Sequence, residues 1–222
     1  MFIEENINII YLDDSIIAVN KPAGLLSIPD GYDKNKICLS KIIEKKFGKV
    51  FIVHRLDKQT SGIILFARNS ESHRFLNILM EKREVNKEYH AIIKGNPEWD
   101  KKTITLKLRK NGDKKHRTII DEVKGKQAET EIIVLERYSD YTLIAAIPKT
   151  GYTHQIRVHL SAIDFPILCD DLYNPFYTQQ DVINRLALHS FSITFIHPLT
   201  RNILKLKADY PADFFRILKP PT

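Results

Sequence analysis

Ten consecutive residues hold the densest group of reactive side chains: Val53-His54-Arg55-Leu56-Asp57-Lys58-Gln59-Thr60-Ser61-Gly62. They lie between a short apolar run and Ile63 to Ala67, whose unbroken apolar character predicts a buried strand. A loop feeding a rigid strand is a favourable place for a site. An aspartate there is ionised at neutral pH, its reference pKa being about 3.9. An ionised carboxylate acts as a nucleophile or as a base. Standing alone, the Arg55-Leu56-Asp57 triplet is better explained as a loop salt bridge. A second group runs Thr150-Gly151-Tyr152-Thr153-His154-Gln155-Ile156-Arg157-Val158-His159. Gly151 followed by a capping Thr153 reads as a tight approach to a helix N-terminus, where anions and phosphates bind readily. His154 and His159 fall on different helix faces, unlike the i, i+4 pair of a zinc protease. They read as hydrogen-bonded structural histidines. No Gly-rich phosphate loop, Ser/His/Asp ordering or cysteine-nucleophile context is present.

The elements that must position these groups are legible in outline. Ile7 to Leu12 and Ile16 to Asn20 form a hairpin through the turn residues Asp13-Asp14-Ser15. Lys21-Pro22-Ala23-Gly24 stops the second strand, because Pro cannot donate to a ladder and Gly opens unusual backbone angles. A turn ending a strand is sufficient reason for Lys21 and Pro22. Leu39, Ile42, Ile43 and Phe47 repeat at helical spacing, predicting a helix over 39–47. Ser70 is the expected N-cap of a helix carrying Phe75, Leu76, Leu79 and Met80 on one face. Strands follow around Tyr89 to Ile93, Ile104 to Leu108, Thr130 to Leu135, Tyr141 to Ile147, Ala187 to Ile196 and Ile203 to Ala208. Thr153 begins a short helix with Ile156, His159, Leu160 and Ile163 on one face and Arg157 directed elsewhere. A terminal helix covers Asp213 to Leu218. Tyr141, Tyr173 and the Phe214-Phe215 pair are expected in the core, and Leu188-His189 and His197-Pro198 in a buried strand and its exit. Strands succeed one another without strand–helix alternation. The expectation is therefore an α+β fold with a largely antiparallel mixed β-sheet core and flanking helices. No repeat or linker divides it, so residues 1–222 are expected to form a single domain.

Bulk properties narrow the function classes. The longest apolar stretches run five or six residues, far short of the roughly 20 that span a bilayer. The acidic start Met1-Phe2-Ile3-Glu4-Glu5 lacks the features of a secretory signal. Cys38 and Cys169 are too few for a disulfide framework and lack zinc-site spacing, so a reduced, cytoplasmic setting without a bound metal is expected. The formal charge is +7. Ten Lys/Arg and three Asp/Glu fall between Lys101 and Lys126, and 24 of each sign make up the rest. All the net charge therefore maps to one segment, with Asn111-Gly112-Asp113 as a hairpin tip that presents Lys110, Lys114, Lys115 and Arg117. Such a segment is either a footprint for a phosphate backbone or a solvated hairpin that aids solubility.

Taken in order, six blocks resemble the RluA-type pseudouridine synthase family. They are Asn20-Lys21-Pro22-Ala23-Gly24; His54 to Asp57 through Gly62; Lys87-Glu88-Tyr89; Thr150 through His159; Asp170 to Tyr173; and Leu188-His189 with His197-Pro198. The resemblance implies a pseudouridine synthase catalytic fold and isomerisation of uridine in structured RNA, in a tRNA or rRNA stem-loop. Nothing is oxidised and no group is lost in that reaction, so no cofactor is expected; the short apolar stretches predict no membrane association, and a monomer is the default expectation. Asp57 matches the essential aspartate, and Arg55 the arginine that helps displace the target base from its stack. Tyr89 matches the tyrosine that stacks on the uracil and helps remove the C5 proton, and Arg157 the arginine that pairs with the catalytic aspartate. Two positions depart from the pattern: Tyr152 stands where a basic residue is usual, and Cys169 where Gly is usual. The chain starts at the catalytic hairpin, like minimal members without the small N-terminal RNA-binding domain. Two other classes compete, a non-catalytic RNA-binding module and an RNA N-glycosidase. The intact Asp57, Tyr89 and Arg157 set weighs against the first, and the lack of a second acid/base carboxylate near Asp57 against the other.

Overall fold

A computed structural model describes residues 7–31, 33, 36–114, 117–174 and 183–218. In chain order the elements are β1 (Asn8–Leu12), β2 (Ile16–Lys21), α1 (Leu39–Phe47), β3 (Phe51–Ile52), β4 (Ser61–Ala67), α2 (Ser70–Glu81), β5 (Asn86–Lys94), β6 (Lys101–Arg109), β7 (Ile119–Ile120), β8 (Lys126–Arg137), β9 (Tyr141–Pro148), α3 (Gln155–Ala162), β10 (Leu188–Ile196), β11 (Ile203–Lys207) and α4 (Ala212–Leu218). The fold is α+β, with the largely antiparallel strand pairing that the sequence predicts. The short pieces β3 and β7 were not expected; two residues are too few to show any periodicity. No helix among the described residues is long and apolar enough to cross a membrane. The chain divides into two compact units, Met1–Lys87 with Ser190–Pro211, and Glu88–His189 with Ala212–Thr222.

In the first unit the strand order is β1-β2-β4-β10, with β3 beside β4 and β11 beside β10. Asp13 accepts main-chain N–H bonds from Ser15 and Ile16 and so closes the β1–β2 turn. Its other oxygen meets His197 Nε2 at 2.8 Å, which ties that turn to the exit of β10. Strand β4 is buried along its whole length. Ile63 and Leu65 pack with Ile16, Ala18, Ile193 and Phe195 under Leu76 and Leu79 of α2. Burying each such side chain contributes about 1.5–3 kcal/mol, which makes this strand the rigid support of the loop before it. Asn69, not Ser70, caps α2, accepting from the Ser72 N–H at 2.8 Å. Both residue types cap well, and the one in extended conformation just before the first turn prevails. Gly62 (φ +107°) is required by close approach: a Cβ there would lie 2.2 Å from the Ser190 carbonyl oxygen. Neighbouring main chains meet at that point, where Ser190 Oγ donates to the Ile63 carbonyl.

In the second unit the order is β5-β9-β8-β6-β7. Helix α3 is buried at every position from Gln155 to Leu160, Arg157 included. Of the polar members of that run, Gln155 and Arg157 find partners inside the protein, as buried polar groups generally do. Helix α4 is held by a bidentate pair between Arg185 and Asp213 and by Tyr141 Oη donating to the Ile217 carbonyl. Phe214 is fully buried but Phe215 is 50% exposed, contrary to the expectation of a paired core contribution. Consecutive helical residues point about 100° apart, so one narrow apolar face takes only one of the two.

Candidate active site

The Asp57 loop enters from β3 and leaves into β4, and its main chain is tied on both sides of the aspartate. On the near side, Ser27 Oγ donates to the Leu56 carbonyl at 2.7 Å and accepts from the Leu56 N–H at 3.1 Å, while the Leu56 side chain is buried. On the far side, the Lys58 carbonyl accepts from the Gly24 N–H at 2.8 Å and from Lys21 Nζ at 3.1 Å. Within the loop, the Thr60 N–H donates to the Asp57 carbonyl. The aspartate is thus presented from a short segment whose neighbours cannot swing, a preorganised arrangement for a reacting carboxylate.

Lys21 contributes more than the strand-ending turn expected of it. It is fully buried, and its ammonium also donates to the carbonyls of Leu25 and Pro22. A buried ammonium is costly unless its three donors are satisfied. Here carbonyl dipoles satisfy them and draw the strand end, the turn and the Asp57 loop to one point. His54 adds a further tie, its Nε2 accepting from the Leu65 N–H at 3.1 Å. Burial and the charge of Lys87 push the His54 pKa down to about 3, so the ring stays neutral and remains an acceptor. Arg55, by contrast, is exposed. Tyr89 lies on β5 opposite Ala146 of β9 and is half-buried.

Arg157 projects from α3 into a bidentate pair with Asp170. Nε donates to one carboxylate oxygen at 2.8 Å and Nη2 to the other at 2.6 Å, with both side chains nearly or fully buried. Asp170 also accepts the N–H groups of Leu172 and Tyr173, so its carboxylate organises the Asp170–Tyr173 turn as well. The Tyr173 ring stacks near the guanidinium, 5.1 Å from centroid to Cζ. Burial pushes the Tyr173 hydroxyl up to about 12. It stays protonated and holds the Thr118 N–H and His154 Nδ1, each at 2.9 Å. The sequence reading places Tyr173 in the core, where it is only half-buried, and gives Asp170 no role. The usable signal was a buried-type arginine that needs an anion, with one carboxylate in an adjacent block.

Three readings of this region are corrected. Thr153 does not cap α3; the cap is His154 in the left-handed conformation, φ 56°, without a side-chain cap bond. Gln155 performs the stitching instead. Its Oε1 accepts from Thr150 Oγ1 and the Tyr152 N–H, and its Nε2 donates to the Glu129 carbonyl and Thr130 Oγ1. Gly151 has open space around its Cα, so no tight approach requires it. His154 is hydrogen-bonded as expected, but His159 is fully buried with neither ring nitrogen paired among the described residues. Desolvation holds its pKa down at about 4, so it sits there as a neutral ring.

Both departures from the family pattern now have a physical reading. Tyr152 packs against the apolar cluster of Leu108, Ala128 and Val158. Cys169 has φ 57°, in the left-handed region where Gly is free of strain. A Cβ there costs roughly 1–2 kcal/mol. The thiol offsets part of that cost by donating to the Ile183 carbonyl at 3.1 Å.

The basic segment forms the expected hairpin, with β7 pairing antiparallel to the end of β6. Asn111 takes the left-handed turn conformation, φ 51°. Several of the charges are committed internally. Arg109 pairs with Asp121 and Lys101 with Glu131, each at 2.6 Å. Arg117 pairs with Asp113 at 2.6 Å and donates to the Leu172 carbonyl. Lys110 and Lys114 lie at the tip, and Lys115 falls outside the described residues.

Comparison with known proteins places this geometry in context. Residues 15–162 match the family model described as RNA pseudouridylate synthase. The chain is 36% identical over 208 residues to the dual-specificity RNA pseudouridine synthase RluA of Haemophilus influenzae, covering 93% of this chain and 94% of that protein. It is 34% identical over 215 residues to the ribosomal large subunit pseudouridine synthase C of Vibrio cholerae, covering 95% of this chain and 68% of that one. Among solved structures it superposes on human RNA pseudouridylate synthase domain containing 1 with a TM-score of 0.81 at 25% identity, over 98% of this chain and 88% of the other.

Proposed function

We infer the roles of individual residues from one premise: this chain belongs to the RNA pseudouridylate synthase family, as an RluA-type enzyme that isomerises uridine to pseudouridine in RNA. The reaction breaks the C1′–N1 bond, turns the uracil and forms a C1′–C5 bond. The C5 proton is lost and N1 gains one, so no group leaves and nothing is oxidised. Asp57 is the carboxylate that starts it, by attack at C1′ or by taking a proton from C2′. The observation that carries this assignment is the double tie of the loop at Leu56 and Lys58, which fixes the main chain on either side of Asp57. Tyr89 stacks on the uracil and its hydroxyl assists removal of the C5 proton. Arg157 serves the catalytic carboxylate, with its own fork oriented by Asp170. Arg55 occupies the space that the target base vacates.

The substrate we assign is a stem-loop in tRNA or rRNA. A target base must leave its stack, which costs a few kcal/mol and favours loops over paired stems. The dual specificity named for the Haemophilus influenzae relative supports more than one RNA target here. The enzyme acts as a monomer in the cytoplasm, with residues 1–222 as one catalytic domain. Pseudouridine mapping across all RNAs, with and without the gene, tests the assignment. Sites present in the parent and absent from the deletion name the substrate. No difference between the two maps would remove the reading, and release of free uracil would replace it with a glycosidase.

Lys110, Lys114 and Lys115 contact the RNA backbone, while Arg117, engaged by Asp113, shapes the hairpin tip. Each neutralised phosphate releases condensed counterions, so affinity falls with salt at a slope set by the number of contacts. Replacing the three lysines with Gln is expected to weaken binding at low salt and to flatten that slope by roughly two to three units. Turnover at saturating RNA should persist. An unchanged slope, read from RNA affinity at several salt concentrations, would make this a solvated hairpin only.

A further inference from the structure

A small groove in the first unit lies directly against the catalytic loop. Leu26, Ser27, Ile28, Pro29, Asp30 and Gly31 form one wall, and Arg55, Leu56 and Lys58 the other, around a cavity of 190 Å³. Of residues 55–58, only Asp57 is absent from the lining. The first wall is fixed rather than loose. The Leu26 carbonyl accepts from the Leu39 N–H and the Ser27 carbonyl from the Ser40 N–H, while Ser27 Oγ grips Leu56. Leu26, Ile28, Pro29 and Leu56 give it an apolar share of lining, and Arg55 and Lys58 in the same lining are exposed cations. Asp30, also in the lining, pairs with Lys36 at 3.2 Å.

We propose that this groove receives the nucleotide adjoining the target uridine, its base on Leu26, Ile28 and Pro29 and its phosphate at Lys58. The proposal rests on the pseudouridine synthase reading and adds a subsite to it. Size sets the occupant: drug-sized ligands need about 300–1,000 Å³, so this cavity takes one base. Charge places the phosphate, at the exposed Lys58 ammonium one residue from Asp57. Distance sets the neighbour, because Leu56 and Lys58 are each one residue, about 3.8 Å of chain, from Asp57. Unstacked bases bind on apolar and aromatic surfaces in this way in single-stranded RNA recognition. Gly31 lines the groove, and a Cβ there would meet nothing within 4 Å. Gly31→Phe therefore adds bulk to the lining without a clash at Cβ.

The test titrates the full-length chain with adenosine and cytidine 5′-monophosphate, reading the methyl NMR signals of Leu26, Ile28 and Leu56. Both nucleotides are expected to shift these signals at millimolar concentration in the parent and not in Gly31→Phe. Inorganic phosphate alone should leave them in place. On a transcribed stem-loop carrying a mapped uridine, Gly31→Phe should raise KM on the order of tenfold, the loss of one base contact, with kcat retained. Absence of nucleotide-induced shifts, equal shifts with phosphate, or an unchanged KM in an active parent each overturns the subsite. A parent that makes no pseudouridine in any RNA overturns the enzymatic reading instead, and the titration still reads the groove.

Discussion

Asp57→Asn is expected to reduce pseudouridine formation by about 10⁴-fold or more while RNA affinity stays within a few-fold of the parent. The magnitude follows from removing a group that acts in the transition state, where single catalytic substitutions cost from about 10⁴ to 10⁶ in turnover. The amide keeps the shape of the carboxylate but supplies neither nucleophile nor base. The loop should keep its conformation, because its main chain is tied at Leu56 and Lys58. Single-turnover assays with verified protein, beside a binding isotherm, make the comparison. Appreciable turnover by the variant would take Asp57 out of the central role.

Asp170→Ala should be the most destabilising single change near the site. Its carboxylate holds Arg157 Nε and Nη2 and two main-chain N–H groups, and its removal leaves a buried guanidinium without its bidentate anion. Breaking a buried pair from one side costs about 3–5 kcal/mol. At about 2–4 °C per kcal/mol for a chain of this size, the melting temperature should fall by roughly 6–20 °C. Arg157→Lys keeps the charge but loses the planar fork, so it should lower both stability and turnover. Sequence reasoning alone expects turnover to suffer far more than stability there; the buried pair adds a folding role that the sequence did not show. Thermal melts, with turnover measured at a temperature where each variant is folded, separate the two contributions. A melting temperature for Asp170→Ala equal to the parent's would show that the pair contributes nothing to the fold.

Much of the molecule was legible in the chain because local periodicity and turn chemistry act over a few residues. Helix α1 spans the predicted 39–47, β4 is the fully buried strand its apolar run announced, and the β1–β2 turn is built on Asp13 as its residue types require. Family membership was legible too, since six short blocks in fixed order carry that information irrespective of how they fold. Helix starts were the weaker point. Ser70 and Thr153 were each plausible caps by type, but Asn69 took the first role, and a left-handed His154 stood in for the second.

What tertiary structure alone decided is which distant groups meet. Lys21 and Lys58 are 37 residues apart, and Ser27 and Leu56 are 29 apart. No sequence periodicity links such pairs; only the pairing of β2 with β4 brings their ends together. The same holds for Arg157 and Asp170, whose pairing depends on how the chain returns after α3. It holds also for Cys169, whose left-handed backbone is a property of that turn rather than of the residue. The sequence determined which chemistry this protein carries, because reactive groups are residue types. The fold decided how firmly that chemistry is held, because burial and hydrogen-bond partners exist only between segments that the chain has brought into contact.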